Sequence, residues 1–262
     1  MKYPRKNQIE FLNDEAYYAD KSFISNSMLK DFTFCPYKFE QKHHEGRFVQ
    51  QDQLYFIIGR ALDVLVTEGR ESFDRQFQVV KRKLAGMTGV LNNSDYELVM
   101  GMYDEIMRQP LIQQLNFTPS KCQEIIALSV NGIKRKGKLD FLDLDKKLIL
   151  DLKTCADLKK FDPLMYVYQL AYYRQLVRAK YNITADCHIF AVDKKKGRHN
   201  SQYYILSNVR LDEAEERINE ALKLYKKSLK SSVYLPDTAM CHFCEFYSKC
   251  SKSVRSEPVY LI

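Results

Sequence analysis

The chain has 262 residues, of which 45% are hydrophobic and 13% aromatic, enough to fill the core of one large domain with extensions. No apolar run approaches the roughly 18 residues of a transmembrane helix, and the polar start is not followed by the apolar stretch of a secretory signal. We therefore expect a cytoplasmic protein without a membrane partner. The formal charge of +8 is typical either of an ordinary soluble basic protein or of one that binds an anionic partner such as nucleic acid.

The order of sequence patterns predicts one domain over 1–262 with four parts: an irregular lead-in over 1–24, a mainly helical region over 25–120, a catalytic sheet core over 121–210, and a C-terminal helix with a cysteine tail over 211–262. The stretch from Ser25 to Phe32 predicts a cap followed by a short helix, because a Ser or Asn side chain there can accept a hydrogen bond from a free backbone N–H group. Apolar residues at helical spacing predict two longer helices, Tyr55–Glu68 and one around Ser94–Met107.

The sheet core begins with a predicted β-hairpin. Asn131 and Gly132 tolerate positive φ and favour a two-residue turn between strands Glu124–Val130 and Ile133–Leu144. The elements that follow are a buried strand at Leu148–Leu150, a helix Pro163–Lys180 capped by Asp162, a second hairpin of Asp186–Asp193 and Ser201–Asn208, and an amphipathic helix Leu211–Ser231. This order is typical of an α/β fold with a small mixed sheet flanked by helices.

Two acids and a lysine fall on adjacent strands of this core. Asp140 lies in the second strand, and Asp151-Leu152-Lys153 ends the strand that follows. Because side chains alternate along a strand, Asp151 and Lys153 share one face. Such carboxylates bind Mg²⁺, which activates water next to a phosphate, and the ammonium can orient that water or stabilise the developing charge. The same residues are also consistent with an ordinary strand end that forms surface ion pairs.

Two lysine-rich stretches indicate where an anionic polymer binds. The second strand of the hairpin carries Lys134, Lys136 and Lys138 at alternate positions, so they lie on one face if the strand is regular. Asp140 continues that alternation, so the lysines lead toward the carboxylate. The turn of the second hairpin carries the other group, Lys194, Lys195 and Lys196. We predict that both groups contact DNA phosphates.

The spacing of the acids resembles that of a known nuclease superfamily. Asp140, ten further residues and then Asp151-Leu152-Lys153 resemble the active-site signature of the PD-(D/E)XK nucleases. The resemblance implies a restriction-endonuclease-like core, with Mg²⁺ or Mn²⁺ held by both aspartates and the Leu152 carbonyl, and Lys153 as a catalytic residue. Glu124 begins the first strand, where relatives often hold an acidic residue near the metal, although it also suits a structural ion pair.

Further elements are similar to the RecB-like exonuclease branch of this superfamily. Gln169 and Tyr173, four residues apart on one helix face, look like its Gln-x-x-x-Tyr element, which implies catalytic roles in holding the DNA backbone or ordering the metal site. Gly59 and Asp63 fall where that branch has a Gly-x-x-x-His helix, which implies Asp63 as a metal ligand in place of the histidine. Over residues 25–250 the chain is most similar to the exonuclease VIII (RecE-type) family of phages and prophages.

Cysteines near the C-terminus predict a second metal centre, with ligands from Cys241, Cys244 and Cys250. A structural site needs a fourth ligand, either His242 or Cys35. One early cysteine and a Cys-x₂-Cys-x₅-Cys tail are similar to the AddB helicase-nuclease subunit and the CRISPR-associated RecB-like exonucleases. That resemblance implies a [4Fe–4S] cluster on Cys35 and the three C-terminal cysteines, which staples the chain ends together; zinc or free thiols are the alternatives. The cysteines expected in the core are Cys122, Cys155 and Cys187.

The expected function is a divalent-metal-dependent DNA exonuclease that resects DNA ends by phosphodiester hydrolysis, in phage or prophage recombination or DNA processing. Such resection implies a single-strand annealing protein as partner. A nuclease of the same fold that acts on single strands, flaps or RNA is one alternative. An inactive DNA-end-binding module is another, favoured by Asp63 at the histidine position and opposed by the intact Asp140, Asp151 and Lys153.

Overall fold

The computed structural model describes residues 14–48, 54–81, 89–118, 120–195 and 197–250 of the chain. Within these ranges no helix is long and apolar enough to cross a membrane. Lys196, the first thirteen residues of the predicted lead-in and the end of the cysteine tail beyond Cys250 lie outside the described residues.

Helices dominate the N-terminal half, as the sequence predicts. Ser25 caps the second helix by accepting a hydrogen bond from the backbone N–H of Met28 at 3.3 Å. Asn92 does the same for the sixth, accepting from the N–H of Asp95 at 2.8 Å. The elements are α1 Asp14–Ala19, α2 Asn26–Phe34, α3 Pro36–Phe39 with a π-helical turn Glu40–His44, α4 Leu54–Thr67, α5 Arg70–Gln76, the parallel strands β1 Gln78–Val80 and β2 Val90–Asn92, α6 Asn93–Met107 and α7 Pro110–Leu115.

The lead-in over 1–24 was predicted to be irregular, but Asp14–Ala19 forms a helix. A distant contact holds the end of this helix. The Lys136 ammonium, from the sheet, donates to the backbone carbonyls of Tyr17 and Asp20. A cation at this end satisfies carbonyl groups that have no partner inside the helix. A contact between residues so far apart leaves no signal in the local sequence.

A five-stranded mixed sheet forms the centre of the fold, in the order β3-β4-β5-β6-β7. Strands β5 and β6 are parallel, and the other neighbours are antiparallel. Both predicted hairpins are confirmed, and Asn131 and Gly132 form the first turn with φ of 54° and 74°. The bounds are β3 Cys122–Val130, β4 Ile133–Asp143, β5 Leu148–Cys155, 3₁₀ turns Leu158–Lys160 and Pro163–Tyr166, α8 Val167–Tyr181, β6 Asp186–Asp193, β7 Ser201–Ile205, α9 Asn208–Ser231, and 3₁₀ turns Thr238–Phe243 and Tyr247–Lys249.

Helices cover both faces of the sheet. On one face α2, α8 and α9 bury a core that includes Leu176 and Ile218, and on the other α4 and α6 bury Leu65 and Met102. Each such side chain contributes about 1.5–3 kcal/mol through removal from water. Helix α8 approaches the sheet closely at Gly137, where a Cβ would lie 2.7 Å from a methyl group of Leu176.

Strands β4 and β5 pair over only three residue pairs beside their connecting turn and then separate. Along the first half of β4, Ile24 takes the edge that β5 has left. The Ile24 N–H donates to the Lys134 carbonyl at 3.0 Å, and the Lys136 N–H donates to the Ile24 carbonyl at 2.9 Å. The Tyr172 hydroxyl also donates to that carbonyl, at 2.6 Å. A gap therefore opens between the two strands, with the N-terminal segment fixed along one side.

A buried ion pair joins α8 to α9. Arg174 is 1% exposed, and its Nε donates to the Glu215 carboxylate at 2.6 Å. Arg178 donates to the same carboxylate at 2.7 Å, and Asp212 pairs with Arg174 at the surface. Because a buried charge is costly without a partner, Glu215 is what allows the arginine to lie between the two helices.

Replacing Glu215 with alanine is expected to lower the free energy of unfolding by about 3–5 kcal/mol, since it leaves Arg174 buried without its main partner. Asp212→Ala removes a partner whose side chain is 68% exposed and is expected to cost about 1 kcal/mol or less. Urea denaturation followed by circular dichroism measures both. Equal losses in the two variants would contradict the role given to Glu215.

Candidate active site

Asp140 and Asp151 meet at the gap between β4 and β5. Just where the two strands part, the backbone N–H of Leu152 donates to Oδ2 of Asp140 at 2.8 Å. Asp151 is 1% exposed, and burial and the nearby charge of Asp140 raise the pKa of its carboxyl group. The structure thus brings together the two acids that the sequence analysis placed on adjacent strands.

Lys153 completes this acid–acid–lysine cluster. Its Nζ forms an ion pair with Asp151, donates to the Leu152 carbonyl at 3.2 Å, and lies 5.2 Å from the centre of the Tyr166 ring. Burial lowers the pKa of Lys153, but the carboxylates of Asp151 and Asp140 outweigh burial and raise that pKa above its usual value. Lys153 is therefore an ammonium at neutral pH, able to donate hydrogen bonds and unable to accept a proton.

Helix α8 brings Gln169 and Tyr173 to the same gap. The Gln169 side-chain amide donates to Oδ1 of Asp151 at 3.2 Å and to the Tyr173 hydroxyl at 3.2 Å. The chain enters this helix through Asp162, whose side chain accepts from the N–H of Leu164 at 2.9 Å. The start of the helix therefore sets which of its faces meets β5, and the amide orients the Asp151 carboxylate.

Asp63 approaches the cluster from α4. Its two carboxylate oxygens each accept a hydrogen bond of 3.1 Å from the side-chain amide of Gln123, which also donates to the Thr67 hydroxyl at 2.8 Å. The Thr67 hydroxyl in turn donates to the Asp63 carbonyl at 2.7 Å. Gln123 therefore fixes the orientation of the Asp63 carboxylate.

Gln123 is a site residue that sequence reasoning missed. Its φ of 55° lies in the left-handed region that few residues other than glycine adopt. It lies opposite Asp140, where the ladder between β3 and β4 lacks a pair although both neighbouring residues are paired. Glutamine has no special preference for this conformation, so strand alternation alone treats Gln123 as an ordinary strand residue and gives no signal of its role.

The carboxyl groups of the cluster repel one another when ionised. Burial raises the pKa of Asp63 to about 8, and the charge of Asp140 adds to that effect. Burial likewise raises the pKa of Asp151 to about 7, against the opposing charge of Lys153. A divalent cation relieves such repulsion, and Mg²⁺ and Mn²⁺ prefer hard carboxylate oxygens as ligands. The chemistry of this donor set therefore fits a divalent cation.

The three aspartates are at present occupied by protein donors. As the side chains stand, no group of three or more His, Cys, Asp or Glu residues in the described part of the chain could hold a metal ion. The oxygens available to a cation in this gap belong to Asp63, Asp140, Asp151 and the Leu152 carbonyl. To bind one, the side chains have to exchange hydrogen bonds within the protein for bonds to the metal.

Two cavities meet at Asp63. The first cavity, of about 600 Å³, lies between β4 and the N-terminal helices, and its lining includes the cations Lys21, Lys30, Lys42, Lys136 and Lys138. The second cavity, of about 420 Å³, lies between α4 and β5, and its lining includes the aromatic residues Tyr55, Phe56 and Tyr166 with the cations Arg60, Lys153 and Lys194. Asp63 lines both cavities, Asp140 lines the cationic one and Lys153 lines the aromatic one.

A family model described as a PDDEXK-like domain of unknown function (DUF3799) matches residues 25–249. The chain belongs to this family. This match confirms the resemblance to PD-(D/E)XK nucleases that the spacing of Asp140 and Asp151 indicated. PDDEXK nucleases generally use divalent metals such as Mg²⁺. No match was found among curated proteins.

Among solved structures, a candidate exonuclease from Eubacterium rectale matches with a TM-score of 0.71 at 19% identity, covering 95% of this chain and 96% of its own. A phage-related exonuclease from Haemophilus somnus 129PT has a TM-score of 0.36 at 15% identity, over 80% of this chain and 96% of its own. The first likeness confirms the mixed α/β fold expected of a PDDEXK-like domain. The second is too low to carry an argument.

Two groups of predicted site residues in this PDDEXK-like domain have other partners. Glu124 lines neither cavity, and its carboxylate accepts a hydrogen bond of 2.6 Å from Lys180 at the end of α8. Lys136 lines the first cavity but is 2% exposed and holds α1, and burial lowers its pKa to about 8. Four other lysines that were predicted to contact DNA are described. Lys134 is exposed, Lys138 lines the first cavity and Lys194 lines the second. Lys195 forms an ion pair with Asp157 at 2.9 Å.

The four predicted cluster cysteines of the domain line one small cavity: Cys35, Cys241, Cys244 and Cys250. The Cys35 sulfur accepts hydrogen bonds from the backbone N–H groups of Lys38 and Asp237, each at 3.4 Å. His242, the other candidate for the fourth ligand, is exposed and does not line this cavity. The other cysteines are Cys122 and Cys187, which are buried, and Cys155, which is half-buried.

The raised pKa values of Asp63 and Asp151 predict that the metal-free protein loses stability as pH rises. Between the unfolded value of 3.8 and the folded values of about 8 and 7, the unfolded chain has already lost these protons while the folded chain still holds them. The melting temperature in EDTA should therefore fall from about pH 5 to about pH 9. In Asp63→Asn the fall should be smaller, leaving this variant the more stable of the two at high pH.

Thermal melting over a pH series, with and without Mn²⁺, measures this difference. Asp145→Asn, in the exposed turn between β4 and β5, is the matched control and should follow the wild type. Mn²⁺ should restore stability at high pH in the wild type and less in Asp63→Asn. Parallel pH curves for Asp63→Asn and the wild type would show that Asp63 does not titrate as described.

Proposed function

We propose that the protein is a divalent-metal-dependent exonuclease that hydrolyses phosphodiester bonds at DNA ends. The proposal rests on the cluster of Asp63, Asp140, Asp151 and Lys153, which stands in the strand gap at the junction of a cationic and an aromatic cavity. A phosphate that enters this junction meets an ammonium and three carboxyl groups in one place. The description of the Eubacterium rectale structure as an exonuclease supports action at ends.

Three aspartates and a backbone carbonyl would hold Mg²⁺ or Mn²⁺: Asp63, Asp140, Asp151 and Leu152. When bound, the cation supplies Lewis acidity and neutralises charge on the phosphate. The protein contributes the orientation of the ligands. Gln123 holds the Asp63 carboxylate and Gln169 holds that of Asp151, so their oxygens keep their direction toward the gap.

Lys153 provides a fixed cation beside the reacting phosphate. Because its pKa is raised, it stays protonated, and it acts by donating hydrogen bonds to the attacking water or to the phosphate oxygens on which negative charge develops. The Asp151 ion pair and the Tyr166 ring hold Nζ in place. Gln169 and Tyr173 stand next to this group, where they order the carboxylate or contact the DNA backbone.

The two cavities suggest a path for DNA. The lysines of the first cavity are suited to backbone phosphates, and the aromatic side chains of the second are suited to stacking on bases. Lys134 and Lys138 from β4, and Lys194 and Lys195 after β6, extend this positive charge. The sequence resemblance to the exonuclease VIII family of phages and prophages supports a role in recombination or DNA processing, with a single-strand annealing protein to take up the product.

Lys153→Ala and Asp140→Asn are each expected to reduce the rate on end-labelled linear DNA with Mn²⁺ by about 100-fold or more, since each removes a group that acts on the reacting phosphate. Lys159→Ala and Asp145→Asn, matched changes at exposed positions nearby, should alter the rate by about twofold or less. Melting temperatures verify that all four variants are folded. Full activity of Lys153→Ala, or no activity of the wild type with any divalent metal, would contradict the proposal.

A substrate panel separates the related functions. Linear duplex, covalently closed circular duplex, single-stranded, flapped and RNA substrates are compared under the same conditions. Cleavage of linear but not circular DNA is expected. Cleavage of circular DNA would indicate an endonuclease, and binding of DNA ends without cleavage would indicate an inactive end-binding module.

We propose, as a separate matter, that the four cysteines bind a [4Fe–4S] cluster. In support, they converge on one cavity from both ends of the chain, and Cys35 accepts two backbone hydrogen bonds, as cluster thiolates do. A four-iron cluster holds its cysteine sulfurs further apart than a single ion does. The cavity has about 20 Å³ of free volume, close to the space of one water molecule, so the side chains that close it must move outward.

Protein purified without oxygen is expected to be brown and to contain about four iron and four sulfide per chain. Cys35→Ser and Cys250→Ser should lose iron and sulfide and melt at lower temperature, because the link between α3 and the C-terminal turns is broken. Cys155→Ser, outside this cavity, should keep both. Zinc without sulfide would identify a zinc site instead, and metal-free protein would contradict both assignments.

A further inference from the structure

Another cavity, here called the α9 cavity, lies across α8 from the candidate active site. It holds about 560 Å³ between the β3–β4 turn, α8 and α9. Whereas Gln169 and Tyr173 point to the strand gap, Gln175 and Arg178, further along α8, line the α9 cavity. The cations in its lining are Arg135, Arg178, Lys223 and Lys226.

Arg135 is a buried cation in the wall of this cavity. It is 3% exposed, its guanidinium donates to the Gln175 side-chain oxygen at 2.8 Å, and it lies 4.4 Å from the centre of the Tyr172 ring. No hydrogen-bond partner for its Nε is found among the described residues. In the ranges that the structure describes, no carboxylate forms an ion pair with it. A guanidinium buried in this way is costly unless a ligand supplies the missing negative charge.

The other charged side chains of the α9 cavity do not supply a negative charge for Arg135. Glu215 lines the cavity, but its carboxylate is already paired with Arg174 and Arg178. Lys226 donates to the Asn131 carbonyl at 2.7 Å, a contact that does not cancel its charge. Lys223 is exposed on the same helix. The lining therefore carries a net positive charge around the buried Arg135 Nε, for which the described residues provide no acceptor.

We propose that the α9 cavity binds a phosphomonoester of nucleotide size, with its phosphate at Arg135. Guanidinium groups recognise phosphate through paired hydrogen bonds, and the unpartnered Nε is one donor for such a pair. A free phosphate would fill a small part of the volume, which falls in the range of about 300–1,000 Å³ typical of sites for small organic ligands. The side-chain amide nitrogen of Asn219 and the apolar side chains of Ile133 and Leu222 suit a ring with a polar edge.

Isothermal titration calorimetry on the full chain in EDTA tests this proposal, with deoxyadenosine monophosphate, inorganic phosphate and a short single-stranded oligonucleotide as probes. The mononucleotide is expected to bind. Lys223→Ala should weaken binding by about tenfold or more, because it removes a charged donor to the phosphate. Lys227→Ala, on the same helix but outside the cavity, should bind as the wild type does. Lys153→Ala should also retain binding, which separates this site from the strand gap.

Arg135→Met provides a second readout. It should abolish binding while leaving the melting temperature unchanged or higher, since it removes a buried charge that has no counter-ion. A lower melting temperature with unchanged binding would show that Arg135 is structural only. If that variant does not fold, Lys223→Ala decides the matter.

Four calorimetric outcomes would overturn the proposal. These are no heat with any probe, loss of binding in Lys153→Ala instead of Lys223→Ala, inorganic phosphate bound as tightly as the mononucleotide, or the oligonucleotide bound more tightly than the mononucleotide. The last would indicate a groove for a nucleic-acid strand. This site shares no residue with the strand gap. A variant that loses the proposed nuclease activity should therefore still bind the mononucleotide, and a variant that loses mononucleotide binding should keep the nuclease activity.

Discussion

The separation of β4 from β5 is the constraint on which the candidate site depends. When two strands part, backbone groups lose their ladder partners, and each buried group left without a partner costs about 1–3 kcal/mol. Here the Leu152 N–H is taken by the Asp140 carboxylate, and the edge of β4 is taken by Ile24. The gap is therefore stabilised by the Asp140 carboxylate and by a segment more than one hundred residues away in the chain.

Neutral amides orient the acidic side chains of this gap. Gln123 and Gln169 each donate to an aspartate, so they fix its direction without cancelling its charge. Within the described part of the chain, Lys153 provides a positive charge for the cluster through its ion pair with Asp151. A lysine in place of either glutamine would provide a similar hydrogen bond, but it would remove part of the negative charge that attracts a divalent cation. The cluster therefore sets one ammonium against three carboxyl groups.

Local patterns were sufficient for most of the fold and for part of the site. The Asn131-Gly132 turn and the Asp162 cap lie within a few residues of what they determine, so the hairpin and the turn that leads into α8 could be predicted. The helix itself begins at Val167 and not at the predicted Pro163, because a 3₁₀ turn comes first. The left-handed conformation of Gln123 could not be, because it results from contacts with α4. Strand alternation placed Lys136 on the same face as Asp140, and both line the first cavity, but no local pattern indicates that Lys136 is held by the end of α1. Features made by distant segments of the chain were the ones missed.

The position of Cys35 has a consequence for biosynthesis. Its sulfur accepts a hydrogen bond from a backbone group 202 residues later, beside the other cysteines. At ordinary rates of protein synthesis, about 5–20 residues per second, these partners leave the ribosome about 10–40 s after Cys35 does. Throughout that interval α2, which helps to wall the first cavity, and the neighbouring α3 lack these later contacts. The N-terminal side of this cavity therefore completes its contacts only after the turns that carry the late cysteines have been synthesised.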